Sequence, residues 1–424
     1  MLINLYGEKI NMDKNSYLVI SFLTDSKTND RIVESDQFPQ SQTINFNTNL
    51  MKSLEQSKDN EYTYVSSYPI SIFPYSKFKK VPKGKEIIRF EDKKIANNYI
   101  PFFNLKYLRI ISKTISTIYY SFKYYSNKKN KKGVIVYSVH IPYLIAGLFI
   151  SKIFKIPLIG IWTDPPGVKT DRDNILQKNI RKLEYKICKK IMNNFDKAIV
   201  ITKQFGEKFL PEKKYLVVEA ISDKKQYDEN SITNFINKSN INKKIKIVYT
   251  GTLDKKYGID RLVQAFYETK NNNVELHLYG KGDYEENIKQ ALKETKNIKY
   301  GGHLTKDKIL DVQKNADYLI NVRDPSEEFV KYSFPSKILE YMTSGTPVIT
   351  TMLPGMPQDY AQHLIILKNN SVKTILNEIN HLDNSYEKHL IIAKNAQQFS
   401  EKKHYKNQGI LINNYLKENI SDDQ

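Results

Sequence analysis

Cysteine is almost absent from this chain of 424 residues, in which Cys188 stands alone. A single thiol excludes an intramolecular disulfide, and it leaves no thiolate set to hold zinc or an iron–sulfur cluster. That usage suits a reducing compartment, so a cytoplasmic location is expected. Long apolar runs are also lacking. The longest, Ile141 to Ile150, is soon broken by Lys152 and Lys155, far short of the roughly 20 residues that span a bilayer. Met1 to Asp13 has no apolar core followed by a small-residue cleavage site, so no signal peptide is expected. The chain should be soluble or peripheral at a membrane. No Asp-x-Asp pair stands at a strand end to chelate a divalent ion, and no zinc-finger spacing or aromatic RNA-binding signature appears. Metal dependence and nucleic-acid binding are therefore not expected.

Acidic residues are scarce beside basic ones, 46 against 66, which leaves a net charge of +20. The excess is local. Between Ser71 and Ile135 there are 16 Lys or Arg against Glu86, Glu91 and Asp92, a net of +13. Such a patch calls for an anionic partner, either membrane phospholipid, lipid-linked pyrophosphate or nucleic acid. Solvated surface is the plain alternative in a chain that favours Lys, Asn, Ile and Tyr throughout. Within the patch, Tyr107 to Tyr125 mixes Ile110, Ile111, Ile115 and Ile118 with Tyr119, Tyr120 and Phe122, and with Lys106, Arg109, Lys113 and Lys123. Basic and aromatic residues on one amphipathic helix suit an anionic membrane surface. Packing against its own sheet is the other reading.

With 40% apolar residues and this length, two domains with real cores are expected. Short β-rich runs alternate with helical periods, which predicts an α/β fold of two Rossmann-like, doubly wound domains facing a cleft. Strands are predicted at Tyr17–Leu23, Tyr62–Ser66, Val134–Ser138, Ile156–Trp162, Ala198–Thr202 and Tyr215–Glu219. In the second half they fall at Ile245–Thr250, Val274–Tyr279, Ile298–Tyr300, Tyr318–Val322 and Pro347–Thr350. The clearest helix is Asp173–Phe195, with Leu176, Ile180, Leu183, Ile187 and Ile191 on one apolar stripe. The domains predicted are 1–222, a polar linker 223–243, 244–385, and C-terminal helices 386–424 that return to the first domain.

Four turns look chemical. Ile247 to Leu253 carries Gly251 and Thr252 and leads through Lys255, Lys256 and Gly258 into an amphipathic helix. A strand, a glycine turn and a helix start gather backbone N–H groups and a positive helix end, a combination that binds phosphate. Gly280-Lys281-Gly282-Asp283 repeats the arrangement, and Gly301-Gly302-His303 follows, where the His303 backbone can meet a nucleobase. The fourth segment is Ile320 to Arg323 with Tyr332-Ser333-Phe334-Pro335-Ser336-Lys337-Ile338-Leu339-Glu340-Tyr341-Met342. Arg323 leaves the end of a buried strand. Ser333 or Ser336 is expected to cap a short helix ended by Gly345. Lys337 sits in its first turn, where a cation opposes the helix dipole unless an anion faces it. Glu340 follows one turn on, placed to accept hydrogen bonds from sugar hydroxyls.

From about Lys244 to Tyr360 these motifs, in this order, resemble the family 4 glycosyltransferases of the GT-B fold, particularly those of bacterial capsule and exopolysaccharide synthesis. In the first half the resemblance rests on Ser138-Val139-His140-Ile141-Pro142 and Trp162-Thr163-Asp164-Pro165-Pro166. It implies a retaining, metal-independent transferase that takes a nucleotide sugar as substrate and glycosylates a saccharide or polyprenyl-linked acceptor. Glu340 matches the second glutamate of the family's Glu-x7-Glu pattern, which contacts ribose hydroxyls, and Gly251 and the following helix lie by the diphosphate. Lys256, Arg323 and Lys337 would stabilise the departing diphosphate. His140 looks like the histidine that reaches the transferred sugar, and Asp164 falls on the acceptor side.

Three positions depart from the pattern. Tyr332 stands where the first glutamate belongs, and the usual arginine and lysine of the first phosphate loop fall on Thr252 and Tyr257. Lys255, Lys256, Arg323 and Lys337 are the cations available in exchange, and Glu327 or Glu328 the carboxylates. The departures also permit a different protein, a non-catalytic nucleotide-sugar-binding subunit of another transferase.

Overall fold

The computed structural model describes residues 14–166, 175–223 and 244–418. Apart from Asp223, the linker predicted at 223–243 lies outside the described residues, as does Met1 to Asp13. The chain divides into two units, Met1–Ile221 with Tyr405–Gln424, and Ser222–His404. The helix Tyr386–Glu401 stays with the second unit, where Gln397 Nε2 donates to Thr343 O at 3.3 Å. Of the two C-terminal helices, Tyr405–Lys417 belongs to the first unit. There Asn413 Nδ2 donates to Ser53 O at 3.2 Å, and the buried Lys197 Nζ donates to Tyr415 O at 3.0 Å. The first-unit return thus begins at Tyr405 rather than at 386.

The first unit holds an eight-stranded sheet in the order Tyr215–Val217, Lys197–Val200, Leu158–Trp162, Lys131–Tyr137, Asn15–Ser21, Asn60–Ser66, Lys93–Tyr99 and Gly84–Phe90. Neighbours are parallel except the last pair, a hairpin closed by Glu91 and Asp92 at one edge. Parallel strands covered by helices read as continuous apolar runs, and the strand Asn15–Ser21 is buried from Ser16 onward. Strand order reverses between Asn15–Ser21 and Lys131–Tyr137, which pair with Val19 opposite Ile135.

Two helices of this unit face the opposite way from a simple apolar-inward reading. On Ile175–Met192, Ile180 and Leu183 are 53% and 59% exposed, so the middle of the predicted stripe points to solvent, while Cys188 and Met192 turn inward. The helix Leu108–Tyr125 is inverted more fully. It buries Lys113, Thr117, Ser121 and Tyr125, and it exposes Ile110, Ile111, Ile115, Tyr119 and Phe122.

The second unit is a six-stranded parallel sheet, in the order Ile298–Tyr300, Val274–Tyr279, Ile245–Thr250, Tyr318–Asn321, Val348–Thr351 and Ile365–Leu367. Counted along this unit, that order is the 3-2-1-4-5-6 of a dinucleotide-binding sheet. The helix Ile259–Glu268 packs Ile259, Leu262, Val263 and Phe266 on Ile247, Leu276 and Ile320. Leu262 is fully buried, and truncating such a leucine to alanine costs about 2–5 kcal/mol. Both units are therefore doubly wound α/β layers.

Candidate functional site

In an open parallel sheet the crevice opens where strand order reverses, beyond the carboxyl ends of the strands. In the second unit that place lies between Ile245–Thr250 and Tyr318–Asn321, which pair with Val248 opposite Leu319. Chain leaving these two ends is Gly251 and Arg323, two of the residues singled out from sequence.

Three glycine turns are stitched together there by main chain alone. Gly251 N donates to Tyr279 O at 2.9 Å, Gly280 N to Gly302 O at 2.9 Å, and Leu253 N to Lys281 O at 3.0 Å. Gly280 has φ +147°, and a Cβ built on it would lie 1.8 Å from Gly251 O. No other residue fits that approach. Gly282 N donates to the Glu285 carboxylate at 3.0 Å, which fixes the second turn to the helix that follows. His303 ends the third turn and is exposed. Thr252 holds the first turn through its carbonyl, which accepts from Tyr249 Oη at 2.9 Å.

Arg323 Cζ lies over the Tyr257 ring, 4.6 Å from its centroid, so a position where the family pattern has a lysine instead supports a neighbouring guanidinium. Burial lowers the Arg323 pKa, against the electrostatic pull of Tyr257, Tyr249 and Tyr341. Among the described residues Arg323 makes no ion pair. Its neighbour Asp324 holds Arg261 at 2.8 Å, and a Ser326 hydrogen bond, with help from Arg261, brings that carboxyl down to about 2. Lys256 lies 3.8 Å from Asp254, and among the described residues Lys255 reaches only the Tyr284 ring.

The helix after this strand runs Ser336–Ser344 and stops at Gly345, φ +78°. Neither predicted serine caps it. Pro335 occupies the cap position, Ser336 is the first helical residue and is exposed, and Ser333 Oγ turns back to Phe329 O at 3.1 Å. The anion that Lys337 faces here is Glu340 itself, with Nζ 3.0 Å and 3.2 Å from the two carboxylate oxygens. Glu340 also accepts from Gln313 Nε2 at 2.5 Å, and the same amide group reaches Thr250 Oγ1 at 2.9 Å. Tyr341 Oη accepts from Thr250 N at 2.9 Å and donates to Thr250 O at 3.1 Å. Lys337, Glu340, Gln313, Thr250 and Tyr341 thus form one network that ends at Gly251. Sequence reasoning missed Gln313, because a glutamine on a helix carries no pattern of its own.

Of the carboxylates available beside Tyr332, Glu328 is engaged with Lys331 at 2.8 Å and accepts from Tyr332 Oη at 3.1 Å. Glu327 stands exposed. Among the described residues, no three His, Cys, Asp or Glu side chains gather closely enough to hold a metal ion.

His140 and Asp164 lie in the first unit, also beyond strand ends. His140 caps the helix Ile141–Phe154 and packs its ring 5.4 Å from Phe22 and 5.0 Å from Tyr143. Burial, then the charges of Lys113 and Arg109, hold its pKa well below the ordinary histidine value. Asp164 accepts from Thr163 Oγ1 at 2.9 Å. Crowding by protein raises its carboxyl pKa, although solvent still reaches the side chain.

Residues 231–399 match the family described as Glycosyl transferases group 1. No curated protein matches the chain in a sequence search. Sucrose-phosphate synthase from Thermosynechococcus elongatus superposes with a TM-score of 0.65 at 13% identity, covering 95% of this chain and 98% of that one. HepE from Anabaena, in complex with UDP, gives 0.60 at 13% identity over 95% and 99% of the two chains. The trehalose-6-phosphate structure from E. coli bound with UDP-2-fluoro glucose gives 0.60 at 8% identity over 96% and 99%. Residues 231–399 are therefore a glycosyltransferase group 1 domain, and the fold is that of GT-B glycosyltransferases.

Proposed function

We propose that this glycosyltransferase moves a sugar, with retention of anomeric configuration, from a nucleotide sugar to a saccharide or lipid-linked acceptor in surface-polysaccharide synthesis. The observation that carries the donor half is the meeting of the Gly251 and Gly280 turns, the unpaired Arg323 and the Glu340 network at the crossover of the second-unit sheet. Cations beside a tight glycine turn suit a diphosphate, and a carboxylate suits sugar hydroxyls.

As the glycosidic bond breaks, negative charge grows on the departing nucleoside diphosphate. Arg323 is already in place and partly desolvated, so its field is strong and needs little reorganisation. Lys337 and Lys256 can exchange their carboxylate partners for phosphate. Each such donor contributes about 2.7–4 kcal/mol to the barrier in comparable sites. With that positive potential the reaction runs without a divalent ion. His140 orients the transferred sugar, and Asp164 serves the acceptor.

UDP-sugars are the first donors to try, because HepE and the E. coli structure carry UDP or a UDP-sugar. The purified chain is offered a nucleotide-sugar panel with and without EDTA while nucleoside diphosphate release and product anomeric configuration are followed. Transfer that survives chelation is expected. Failure of every donor, or loss of activity with EDTA, overturns the corresponding part. Transfer by the isolated chain also excludes the partner-subunit role that Tyr332 permits.

The inverted Leu108–Tyr125 helix supports docking on an anionic membrane. Its outward Ile111, Ile115 and Phe122, flanked by Lys106 and Lys123, present apolar surface ringed by positive charge. No helix among the described residues is long and apolar enough to cross a membrane. Sedimentation with vesicles decides the point, since equal binding to anionic and neutral lipid contradicts the electrostatic component.

A further inference from the structure

The inward face of the same helix carries a second anomaly. Lys113 has 0% exposed surface, and its Nζ has no hydrogen-bond partner. Arg109, one turn earlier, spends its Nη2 on Ile70 O at 2.7 Å and leaves its buried Nε unpaired. His140 Nε2 is buried and unpaired as well. Three orphaned nitrogens in one neighbourhood are rare in a folded protein, and each calls for an explanation.

They share one location. Lys113 Nζ lies 5.0 Å from the Phe22 ring centroid, 4.6 Å from Phe102 and 5.6 Å from Tyr143. The His140 ring packs on the same Phe22 and Tyr143. Phe22 leaves the strand Asn15–Ser21 and His140 follows Lys131–Tyr137, so the cluster sits where the first-unit strand order reverses, the usual place for a ligand. The helix Ile141–Phe154 begins at His140 with no side-chain cap, which adds its positive end.

Neither Lys113 nor Arg109 makes an ion pair among the described residues. Asp36 acts on Arg109 from a distance and offsets its charge in part, while its two carboxylate oxygens accept from Phe38 N and Ser71 N. Burial, and then Arg109, push the Lys113 pKa well below its ordinary value, and an anion beside it would restore the charged form. Phe22, Phe102 and Tyr143 offset part of that shift. Arg109 and His140 keep partial exposure, which gives a solute access to the rim.

We propose that Lys113, Arg109 and His140 form an anion subsite that receives a phosphoryl group carried by the acceptor. Arg109 and the helix end supply the standing positive charge, and Lys113 and His140 add proton-bearing nitrogens that an arriving anion turns into cations, a set that matches a phosphoryl dianion better than a carboxylate. The subsite rests on the transferase reading for the identity of its guest. Its occupancy is read without turnover, so failure of one is told apart from failure of the other.

The test is histidine-ring NMR on the full chain, with the His140 signal assigned by its loss in His140→Gln. Added inorganic phosphate should raise the His140 pKa by about one unit or more. The response should persist in Arg323→Ala, a substitution in the second unit, and should vanish in Lys113→Met. Arg109→Gln, at a partly exposed position, gives the same reading if Lys113→Met does not fold. Glucose 6-phosphate and phosphatidylglycerol vesicles separate the sources: a response to the first identifies a soluble phosphorylated acceptor, and one to vesicles alone a lipid headgroup, and either supports the subsite. A His140 pKa untouched by all three, or moved equally in Lys113→Met, overturns it.

Discussion

Replacing Gly280 by alanine tests whether backbone contact between the glycine turns shapes the donor site. The new methyl would start 1.8 Å from Gly251 O, whereas carbon and carbonyl oxygen rest at about 3.3–3.6 Å. The Gly251 turn must therefore retreat by roughly 1.5 Å, and a misplacement of about 1 Å costs on the order of 100-fold in rate. Gly302→Ala is the control. Its φ of +67° imposes a similar backbone penalty of about 1–2 kcal/mol, but nothing lies within 4 Å of the added carbon. We expect Gly280→Ala to lose at least about 100-fold in kcat/KM for the donor, and Gly302→Ala only a few-fold. Nucleoside diphosphate release against donor concentration reads both kinetic effects, and urea unfolding reads the backbone penalty. Equal kinetic losses, or near-normal kinetics for Gly280→Ala, would refute the idea that this contact positions the turn.

Lys337→Met and Glu340→Gln should each lower kcat/KM about 100- to 1000-fold, and the double variant should lose less than the product, because the two side chains form one pair; steady-state kinetics on the three proteins checks this. Ile111→Ser and Ile115→Ser remove side chains that are 58% and 64% exposed, so stability should hold within about 0.5 kcal/mol while vesicle sedimentation weakens. Asp324 has its pKa depressed to about 2, so its contribution to stability is present above the unfolded value near 4 and fades as pH falls toward 2. Discounted for solvent screening, Asp324→Asn should cost about 0.5–1 kcal/mol at pH 7 and much less at pH 2.5, measured by urea unfolding at both.

The second unit was the more legible half. Ile245–Thr250, Val274–Tyr279 and Ile298–Tyr300 stand where predicted, because each is a short β-rich run closed by a glycine turn or a polar helix. The edge hairpin Gly84–Phe90 and Lys93–Tyr99 was missed, since its outward positions hold Lys85, Arg89, Lys93 and Lys94 and the run reads as a charged loop. Helix faces misled for a related reason. Apolar periodicity on Ile175–Met192 and Leu108–Tyr125 is real, but it says only that a face is apolar, not which neighbour covers it. In the site, glycine turns could be read because backbone geometry demands that residue. Lys337 and Glu340 stand three apart on one helix, a spacing that allows a pair, but the role of Gln313 depends on side chains meeting across elements distant in sequence, which no local pattern encodes.

The account turns on the second unit gripping a nucleoside diphosphate at the reversal of its strand order. Amide hydrogen exchange of the chain with UDP, GDP, dTDP and ADP tests that directly. Slowed exchange at Tyr249–Leu253 and Leu278–Gly282 with at least one nucleotide, lost in Arg323→Ala, is the predicted result, whereas protection confined to other segments or seen with none of the four would contradict it.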